Sequence, residues 1–317
     1  MFCFQARKNT LLNKKMATIR KKQKMNIEII DLTMIEVKTL VDLPNEMILK
    51  ILSQVNINDL FQCMKVNKKI KDISNDISLW ETVHLKSKED VPAELLPKIL
   101  EKGCKYFAFP LFSKFKGIAN FTPNFELKYL YFWAGESDEV FFDLAASCHG
   151  LENLAIHFPL EFSIFGTRNL NKQWLPKLTK CISQNRGNLK VLVMNDCEIS
   201  NKVFELMVTL LVELTELNIK GLKISLKSID FFCKNITTKL KKLDISWHYM
   251  FGDDQLKILM TRCELTELNI TETMVTNDSV NSIVQKLPKC LAKLEIDKDT
   301  FSISNLLKIA HGMFLEW

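Results

Sequence analysis

The segment LTELNIKGLKIS, residues 214–225, recurs along the second half of this 317-residue chain and decides its fold. Similar segments begin at residues 189, 240, 265 and 291, so successive starts lie 25 or 26 residues apart. Each carries the pattern Leu-x-x-Leu-x-[Ile or Met], followed by polar residues and then by apolar residues at helical spacing. One short strand and helix cannot bury their apolar sides alone, so the period predicts units stacked side by side.

The repeated pattern resembles the leucine-rich repeat, in the variety that has cysteine at its ninth position. Cys197 occupies that position in the unit from residue 189, and the other units have different residues there. The resemblance implies an α/β solenoid, with a curved parallel sheet on the concave face and helices outside. We expect this leucine-rich-repeat domain to cover residues 81–317.

Earlier units of the solenoid are more degenerate. Segments from residues 127 and 151 match the strand pattern, and Thr82–Leu85 and Tyr106–Phe109 predict two further strands before them, giving eight or nine strands in all. The interval from Leu151 to Leu189 is 38 residues, which predicts an insertion near residues 158–174. Insertions in repeat proteins map to loops, often on the binding face. The alternative is that its aromatic residues pack over a degenerate repeat.

A different pattern precedes the repeats. Residues 42–52 read DLPNEMILKIL, with more apolar surface than a helix lying on a single core needs. Pro44 suits the first turn of a helix, and Asn56 or Asn58 can cap a second one. Together with a third apolar pattern that ends at Trp80, these features predict three short helices with a very small core, which needs the solenoid or a partner.

This three-helix stretch, residues 41–80, resembles an F-box. The residues that carry the resemblance are Leu43, Pro44, Glu46, Ile51, Leu52, Asp59, Leu60, Val66, Lys68, Lys69, Leu79 and Trp80. Two positions depart from the family, which usually has Cys where Asn67 stands and Trp where Ile70 stands. The resemblance covers most of residues 42–312 and implies a substrate receptor of an SCF-type cullin–RING ubiquitin ligase, in which the F-box docks on the Skp adaptor and the repeats hold a protein substrate.

That implication gives the second apolar face of the first helix a role. One face would pack on its own domain, and the other would enter a groove of the adaptor. The expected adaptor-binding residues are Leu43, Pro44, Met47, Ile48, Ile51, Leu52, Leu60 and Val66. The alternative is that both faces are buried within this chain.

The substrate surface is predicted from strand alternation, because residues between the buried leucines face the open side of the sheet. The expected substrate-binding residues are Tyr129, Tyr131, Trp133, His157, Asn195, Glu216, Asn218, Lys242, Asp244 and Glu267. Aromatic residues are enriched at interaction hot spots, and the later strands carry more acids than lysines. This pattern favours a target with an apolar anchor and a basic or mixed segment. The alternative is that the polar residues simply solvate an open sheet.

The positive charge of the chain is concentrated at its beginning. Residues 1–27 hold eight of the 43 basic residues and no acid, which leaves 35 basic against 37 acidic residues elsewhere. We expect residues 1–40 to be a basic, disordered leader. Its lysines at 21, 22 and 24 also fit a nuclear import signal, and a mitochondrial presequence is a further interpretation. The near-neutral body argues against a nucleic-acid partner.

No catalytic, metal or cofactor signature is present in the sequence. The nine cysteines are dispersed without CxxC spacing, and there is no HExxH, GxSxG or phosphate-binding glycine loop. We therefore expect a non-catalytic cytoplasmic or nuclear protein without a membrane partner. The competing hypothesis is a leucine-rich-repeat scaffold or inhibitor whose F-box no longer engages the adaptor.

Overall fold

The computed structural model describes the chain in eight stretches. They are residues 39–85, 95–109, 121–124, 126–134, 139–158, 174–280, 290–297 and 314–315. Residues 1–38 of the predicted leader and residues 159–173 of the predicted insertion lie outside them. By its contacts the chain divides into two units, Met1–Ile48 and Leu49–Trp317, and the predicted domain boundary at residue 80 stays a prediction.

The first unit contains a short turn and the start of a helix. A 3-10 helix, Leu40–Asp42, is closed by its own carboxylate, because Asp42 Oδ2 accepts hydrogen bonds of 2.8 Å from both the backbone N–H and the hydroxyl of Thr39. Helix α1 is Asn45–Leu52. The Pro44 carbonyl accepts the N–H groups of Met47 and Ile48 at 3.0 and 3.1 Å, so this proline begins the helix as its fixed φ favours.

Asparagine side chains begin the next two helices, α2 (Ile57–Cys63) and α3 (Lys68–Ile73). Asn56 Oδ1 accepts the N–H of Asp59 at 2.8 Å, and Asn67 Oδ1 accepts the N–H of Lys69 at 2.7 Å. These bonds satisfy backbone donors that have no partner inside a helix. The departure from the family pattern at Asn67 is therefore a helix cap.

Trp80 lies at the end of this helical segment and packs into its core. Its ring is fully buried against Phe61, with ring centroids 5.1 Å apart, and its indole N–H donates to the Ser74 carbonyl at 2.6 Å. Ile70, the other departure from the family pattern, is also buried, at 5% exposure. An aliphatic side chain thus fills the core position that the family gives to tryptophan.

Ten strands of the described residues form one parallel sheet, in which neighbours in sequence are neighbours in space. The strands are β1 Thr82–His84, β2 Tyr106–Phe109, β3 Tyr129–Trp133, β4 Asn153–His157, β5 Val191–Asn195, β6 Glu216–Asn218, β7 Lys242–Asp244, β8 Glu267–Asn269, β9 Lys293–Glu295 and β10 Phe314–Leu315. Every predicted strand is present. The prediction of eight or nine strands missed β10, because its segment carries no copy of the leucine pattern.

Helices connect the strands and pack beside one another. They are α4 Leu95–Glu101, α5 Glu139–Ser147, α6 Trp174–Gln184, α7 Asn201–Leu210, α8 Leu226–Asn235 and α9 Asp253–Arg262. From α5 onward, each contacts the next along the chain. Between sheet and helices lies the core, where the second leucine of each regular repeat is at most 3% exposed: Leu192, Leu217, Leu243, Leu268 and Leu294. The α/β solenoid is confirmed.

The two ends of the predicted insertion join this core. Phe158 and Trp174 are 5% and 7% exposed, with ring centroids 5.6 Å apart, and Trp174 also stacks on Phe142 at 5.1 Å. For these two aromatic residues, packing rather than partner binding accounts for the side chain. The other two aromatics of the insertion, Phe162 and Phe165, lie outside the described residues.

A left-handed residue follows the strand at the eighth position of four repeats, those that begin at residues 189, 214, 240 and 265. Asp196, Gly221, Trp247 and Glu272 have φ between 54° and 66°. This conformation directs the backbone N–H to the next repeat, as in the bonds from Asp196 to the Lys220 carbonyl at 2.8 Å and from Gly221 to the Ser246 carbonyl at 2.9 Å. A side chain at Gly221 would also collide with Asp196 Oδ1. Glycine therefore avoids this collision at position 221, and it adopts the left-handed conformation at less cost than the other residue types found there.

Candidate functional site

The apolar residues of the predicted F-box, residues 41–80, divide into buried and accessible groups. Ile48, Leu52 and Leu60 are at most 2% exposed, so the chain itself buries them. Ile48 and Leu52 lie four residues apart on α1, which places them on one stripe of the helix. Their expected contact with an adaptor stays a prediction, and in this chain alone the three side chains are already removed from water.

Five of the expected adaptor contacts keep accessible surface. Val66 is 74% exposed and Ile51 is 42% exposed, while Leu43, Pro44 and Met47 are half-buried. Val66 stands in the turn between α2 and α3, immediately before the capping Asn67. Burial of such an exposed β-branched side chain by a partner is favourable, because it removes apolar surface from water.

Strand register brings the expected substrate residues into rows across the open face of the sheet. One row runs through Tyr129, Asn153, Val191, Glu216, Lys242 and Glu267, and the next runs through Tyr131, Ala155, Val193, Asn218 and Asp244. A third pairs Trp133 with His157 and His157 with Asn195. All ten expected residues therefore share this face. Their alternation with buried leucines follows the period of two along each strand.

Three rings form an aromatic cluster, which we define as Tyr131, Trp133 and His157. The His157 ring centroid lies 5.2 Å from that of Tyr131 and 5.1 Å from that of Trp133. The Trp133 indole N–H donates to the Tyr131 hydroxyl at 2.7 Å. Each residue is half-buried, so the cluster is rigid yet accessible. Large, preorganised aromatic surfaces of this kind lose little entropy on binding.

Tyr129 and Tyr131 remain neutral phenols. Burial raises the pKa of Tyr129 to about 12, and the nearby Tyr131 and Glu216 add to the effect. Burial likewise raises the pKa of Tyr131, although the hydrogen bond from Trp133 opposes it. Both hydroxyls can therefore donate a hydrogen bond to a bound chain at any physiological pH.

Polar residues on the later strands are largely committed to the scaffold. Asn218 donates to Asp244 at 3.1 Å, and Asn269 donates to Glu295 at 2.7 Å. The side-chain oxygens of Asn218, Asp244 and Asn269 each accept the backbone N–H two residues on, at 3.1 Å. Such turns hold the strand ends in place. Asn218 and Asp244, both expected to bind substrate, therefore have this structural role as well.

Ion pairs neutralise two of the three lysines on this face. Lys242 lies 2.5 Å from Glu267, and Lys293 lies 2.8 Å from Glu295. The Lys242–Glu267 pair is substantially exposed, so its contribution to stability is about 0–1 kcal/mol. The five acids of the face, Glu216, Asp244, Glu267, Glu295 and Asp297, outnumber its three lysines, Lys220, Lys242 and Lys293, so the face keeps an excess of negative charge.

Asn195 presents an oxygen without a partner. The residue is 8% exposed, and its Oδ1 has no hydrogen-bond donor among the described residues. Its strand position pairs with His157, so it borders the aromatic cluster. A buried acceptor left unpaired costs about 1–3 kcal/mol, and a donor on a bound molecule would remove that cost.

A second apolar surface was missed by the sequence reasoning. The strand-end patch, which we define as Trp247, Tyr249, Met250 and Met274, is exposed by 41% to 64% per residue. Trp247 holds its left-handed conformation, and the Lys220 ammonium lies 6.0 Å from its ring centroid. A bulky residue rarely adopts this conformation, and local strain often accompanies function. Large apolar residues in the loop 246–252, where other repeats are polar, are the signal that could have indicated it.

The thiols offer no nucleophile in the interior. Burial raises the pKa of Cys104, Cys148 and Cys233 to about 12, and it raises the pKa of Cys181 and Cys197 as well. A thioester-forming cysteine needs the opposite shift, since the thiolate is the reactive form. These five side chains therefore act as small apolar residues.

Neither a metal site nor a membrane span occurs in the part of the chain that the structure describes. No group of three His, Cys, Asp or Glu side chains there is placed to hold a metal ion. No helix there is long and apolar enough to cross a membrane.

Comparison with protein families supports the prediction of an F-box in the helical segment. Residues 40–86 match the F-box-like family. This match covers the predicted F-box and extends through β1, so the chain carries an F-box-like domain beside its repeats. No curated protein sequence matches the chain.

Solved structures with a related arrangement are distant. The leucine-rich repeat-containing protein LegL7 from Legionella pneumophila is 13% identical, with a TM-score of 0.36, over 58% of this chain and 62% of that one. A Bacteroides fragilis protein is 12% identical, with a TM-score of 0.38, over 60% of this chain and 65% of that one. A chain from the yeast Rad7–Elc1 complex is 11% identical, with a TM-score of 0.32, over 98% of this chain and 97% of that one. The chain thus spans less than two thirds of the first two structures.

Proposed function

We propose that this protein is the substrate-recognition subunit of an SCF-type cullin–RING ubiquitin ligase. Its F-box docks on the Skp adaptor, and its repeats bind a protein substrate for ubiquitination. The observation that carries the proposal is the F-box-like match of residues 40–86, placed directly before a parallel sheet with an open polar and aromatic face. The order of F-box, Trp80-led strand, short helix and second strand also resembles S-phase kinase-associated protein 2, and the proposal extends that resemblance to the receptor role.

The adaptor contact falls to the accessible apolar residues Leu43, Pro44, Met47, Ile51 and Val66. They enter an apolar groove of the adaptor, as amphipathic helices do in many complexes. Complete burial of a fully exposed side chain of this kind is worth about 1.5–3 kcal/mol, so Val66 and Ile51, the most exposed of the five, are expected to contribute most to the complex. The buried Ile48, Leu52 and Leu60 keep the contacting residues in position.

Substrate binds on the open face of the sheet. The aromatic cluster supplies a rigid apolar anchor, Asn195 supplies an unpaired acceptor, and the acids of the later strands favour a basic or mixed segment. No chemistry is required of the receptor. It raises the local concentration of substrate beside a conjugating enzyme held elsewhere in the complex.

Co-purification with the Skp adaptor tests the receptor role. We expect the full-length protein to retain the adaptor, and Leu43→Ala/Pro44→Ala to retain much less. If the wild-type protein fails to retain the adaptor and the double variant behaves identically, the alternative function is correct, namely a leucine-rich-repeat scaffold or inhibitor. Asn67 and Ile70, which differ from the family pattern, are the residues that raise that alternative.

A further inference from the structure

A cleft lined by lysines lies between the helices before β1 and the first helix of the repeats. Its volume is about 690 Å³, and α2, α3 and α4 contribute to its walls. The charged residues that line it are Lys65, Lys68, Lys71, Lys98, Lys102 and Glu101. Five cations therefore face one anion, in a body whose overall charge outside the leader is close to neutral.

No carboxylate in the described part of the chain forms an ion pair with the lysines of the cleft. Lys65 donates to Gln62 at 3.1 Å, and Lys102 donates to Asn75 and lies 6.0 Å from the Trp80 ring. Lys68, Lys71 and Lys98 are exposed, and no described carboxylate pairs with them. By contrast, several lysines of the repeats form ion pairs with carboxylates.

Helical spacing concentrates the charge further. Lys68 and Lys71 lie three residues apart on α3, while Lys98 lies on α4 and Lys102 in the turn just after it. Like charges three residues apart share a helix face and repel each other. A bound anion would offset that repulsion, because it would attract the lysines of both walls at once.

We infer that this cleft binds an acidic peptide segment of a partner protein. The cleft is open along the surface, which suits an extended peptide segment rather than an enclosed small molecule. All of its cations are lysines, which attract the carboxylates of such a peptide as point charges.

Aromatic geometry points away from nucleic acid. The aromatic residue in the wall, Phe61, is half-buried and packs on Trp80, so its ring is engaged within the protein rather than presented for base stacking. The apolar Met64 in the same wall suits a mixed acidic and apolar peptide. This inference holds whether or not the protein is a ligase subunit.

A labelled poly-glutamate peptide tests the inference against the full-length protein by fluorescence anisotropy. The variant Lys68→Glu/Lys98→Glu reverses one charge on each wall, and we expect it to weaken binding about tenfold or more. The matched control is Lys223→Glu/Lys227→Glu, which reverses two exposed lysines on the repeats and leaves the affinity unchanged. Binding to the wild-type protein should also weaken steeply as salt rises from about 0.05 to about 0.3 M.

Three outcomes would overturn the inference. They are absence of peptide binding by the wild-type protein, equal losses in the cleft and control variants, and tighter binding of a single-stranded oligonucleotide of the same charge through the same two lysines. Thermal unfolding of each variant checks its fold. Should Lys68→Glu/Lys98→Glu not fold, Lys68→Gln/Lys98→Gln provides the same comparison, with a smaller expected loss.

Discussion

The indole N–H of Trp133 donates a 2.7 Å hydrogen bond to the hydroxyl of Tyr131, and both rings lie within 5.2 Å of His157. Residues two apart on a strand share a face, so this bond fixes two aromatic side chains on the open side of the sheet. The same geometry links fold and proposed function, because the strand pattern that builds the solenoid also brings together the three rings that we propose as a substrate anchor.

The aromatic face should be required for substrate capture. We predict that Tyr129→Ala/Tyr131→Ala/Trp133→Ala loses a distinct set of partners in affinity capture with quantitative mass spectrometry, while adaptor recovery is unchanged. The control Leu206→Ala/Val212→Ala removes exposed apolar side chains at and just after α7. An identical partner set for the triple variant would move the substrate site away from these strands.

Asn195 should serve binding rather than stability. Because the change removes a buried oxygen that has no donor among the described residues, Asn195→Leu is expected to keep the free energy of unfolding at or above the wild-type value. Asn185 is the control, since it is buried and bonds to the Leu151 N–H at 2.9 Å and to two carbonyls. Asn185→Leu should lose about 2 kcal/mol or more in urea unfolding. Equal losses would assign Asn195 a structural role.

His248 should make the solenoid sensitive to acid. Burial lowers the pKa of this side chain, and its neutral Nε2–H donates to the Ile219 carbonyl at 2.8 Å. Below its ordinary value of 6.5, the unfolded chain binds more protons at this position than the folded chain, so stability falls as the pH falls. We predict a smaller loss between pH 7 and pH 5 for His248→Gln, measured by urea unfolding. Parallel curves for the two proteins would contradict this.

Gly221 should be the least replaceable glycine among those described. Its φ is 63°, and a Cβ would collide with Asp196 Oδ1, so Gly221→Ala is expected to cost about 1–2 kcal/mol or more in the free energy of unfolding. Gly187 has open space around it and no left-handed φ, so Gly187→Ala should be neutral or slightly stabilising. Similar midpoints for both variants in thermal unfolding would refute the packing argument.

Much of the fold follows from the sequence because the solenoid repeats a single physical solution. Each unit must bury a leucine at the same strand position, as Leu192 and Leu217 show, so the spacing of these leucines predicts the strands and their register. The alternation of side chains along each strand then predicts the rows that hold Tyr131 and His157. Long-range topology adds no ambiguity here, because each repeat contacts its neighbours in sequence.

For the F-box, the sequence alone did not indicate which apolar residues are exposed and which are buried. Ile48 and Ile51 are equally apolar on the same helix, and hydrophobicity alone does not say which stripe meets the core. Burial in the structure separates them, and it removes Leu60 from the surface although its neighbours match the family. Asn67 likewise reads as a mere departure until its bond to the Lys69 N–H is known.

Features built from distant segments were out of reach for a different reason. The lysine cleft joins Lys68 and Lys98, which only tertiary packing brings to one cavity. The strand-end patch depends on loop conformations, such as that of Trp247, that propensity does not predict. In both cases the chemistry is visible in the sequence and the placement is not.

The affinity of the purified full-length protein for the purified Skp adaptor, measured by isothermal titration calorimetry, tests the central claim most directly. We predict a stable complex with wild type, and a loss of about tenfold or more in affinity for Val66→Asp, because a charge would be buried in an apolar groove. The control Val212→Asp, at another exposed valine, should bind as wild type does. Absence of binding by the wild-type protein, or equal affinities for wild type and both variants, would contradict the account.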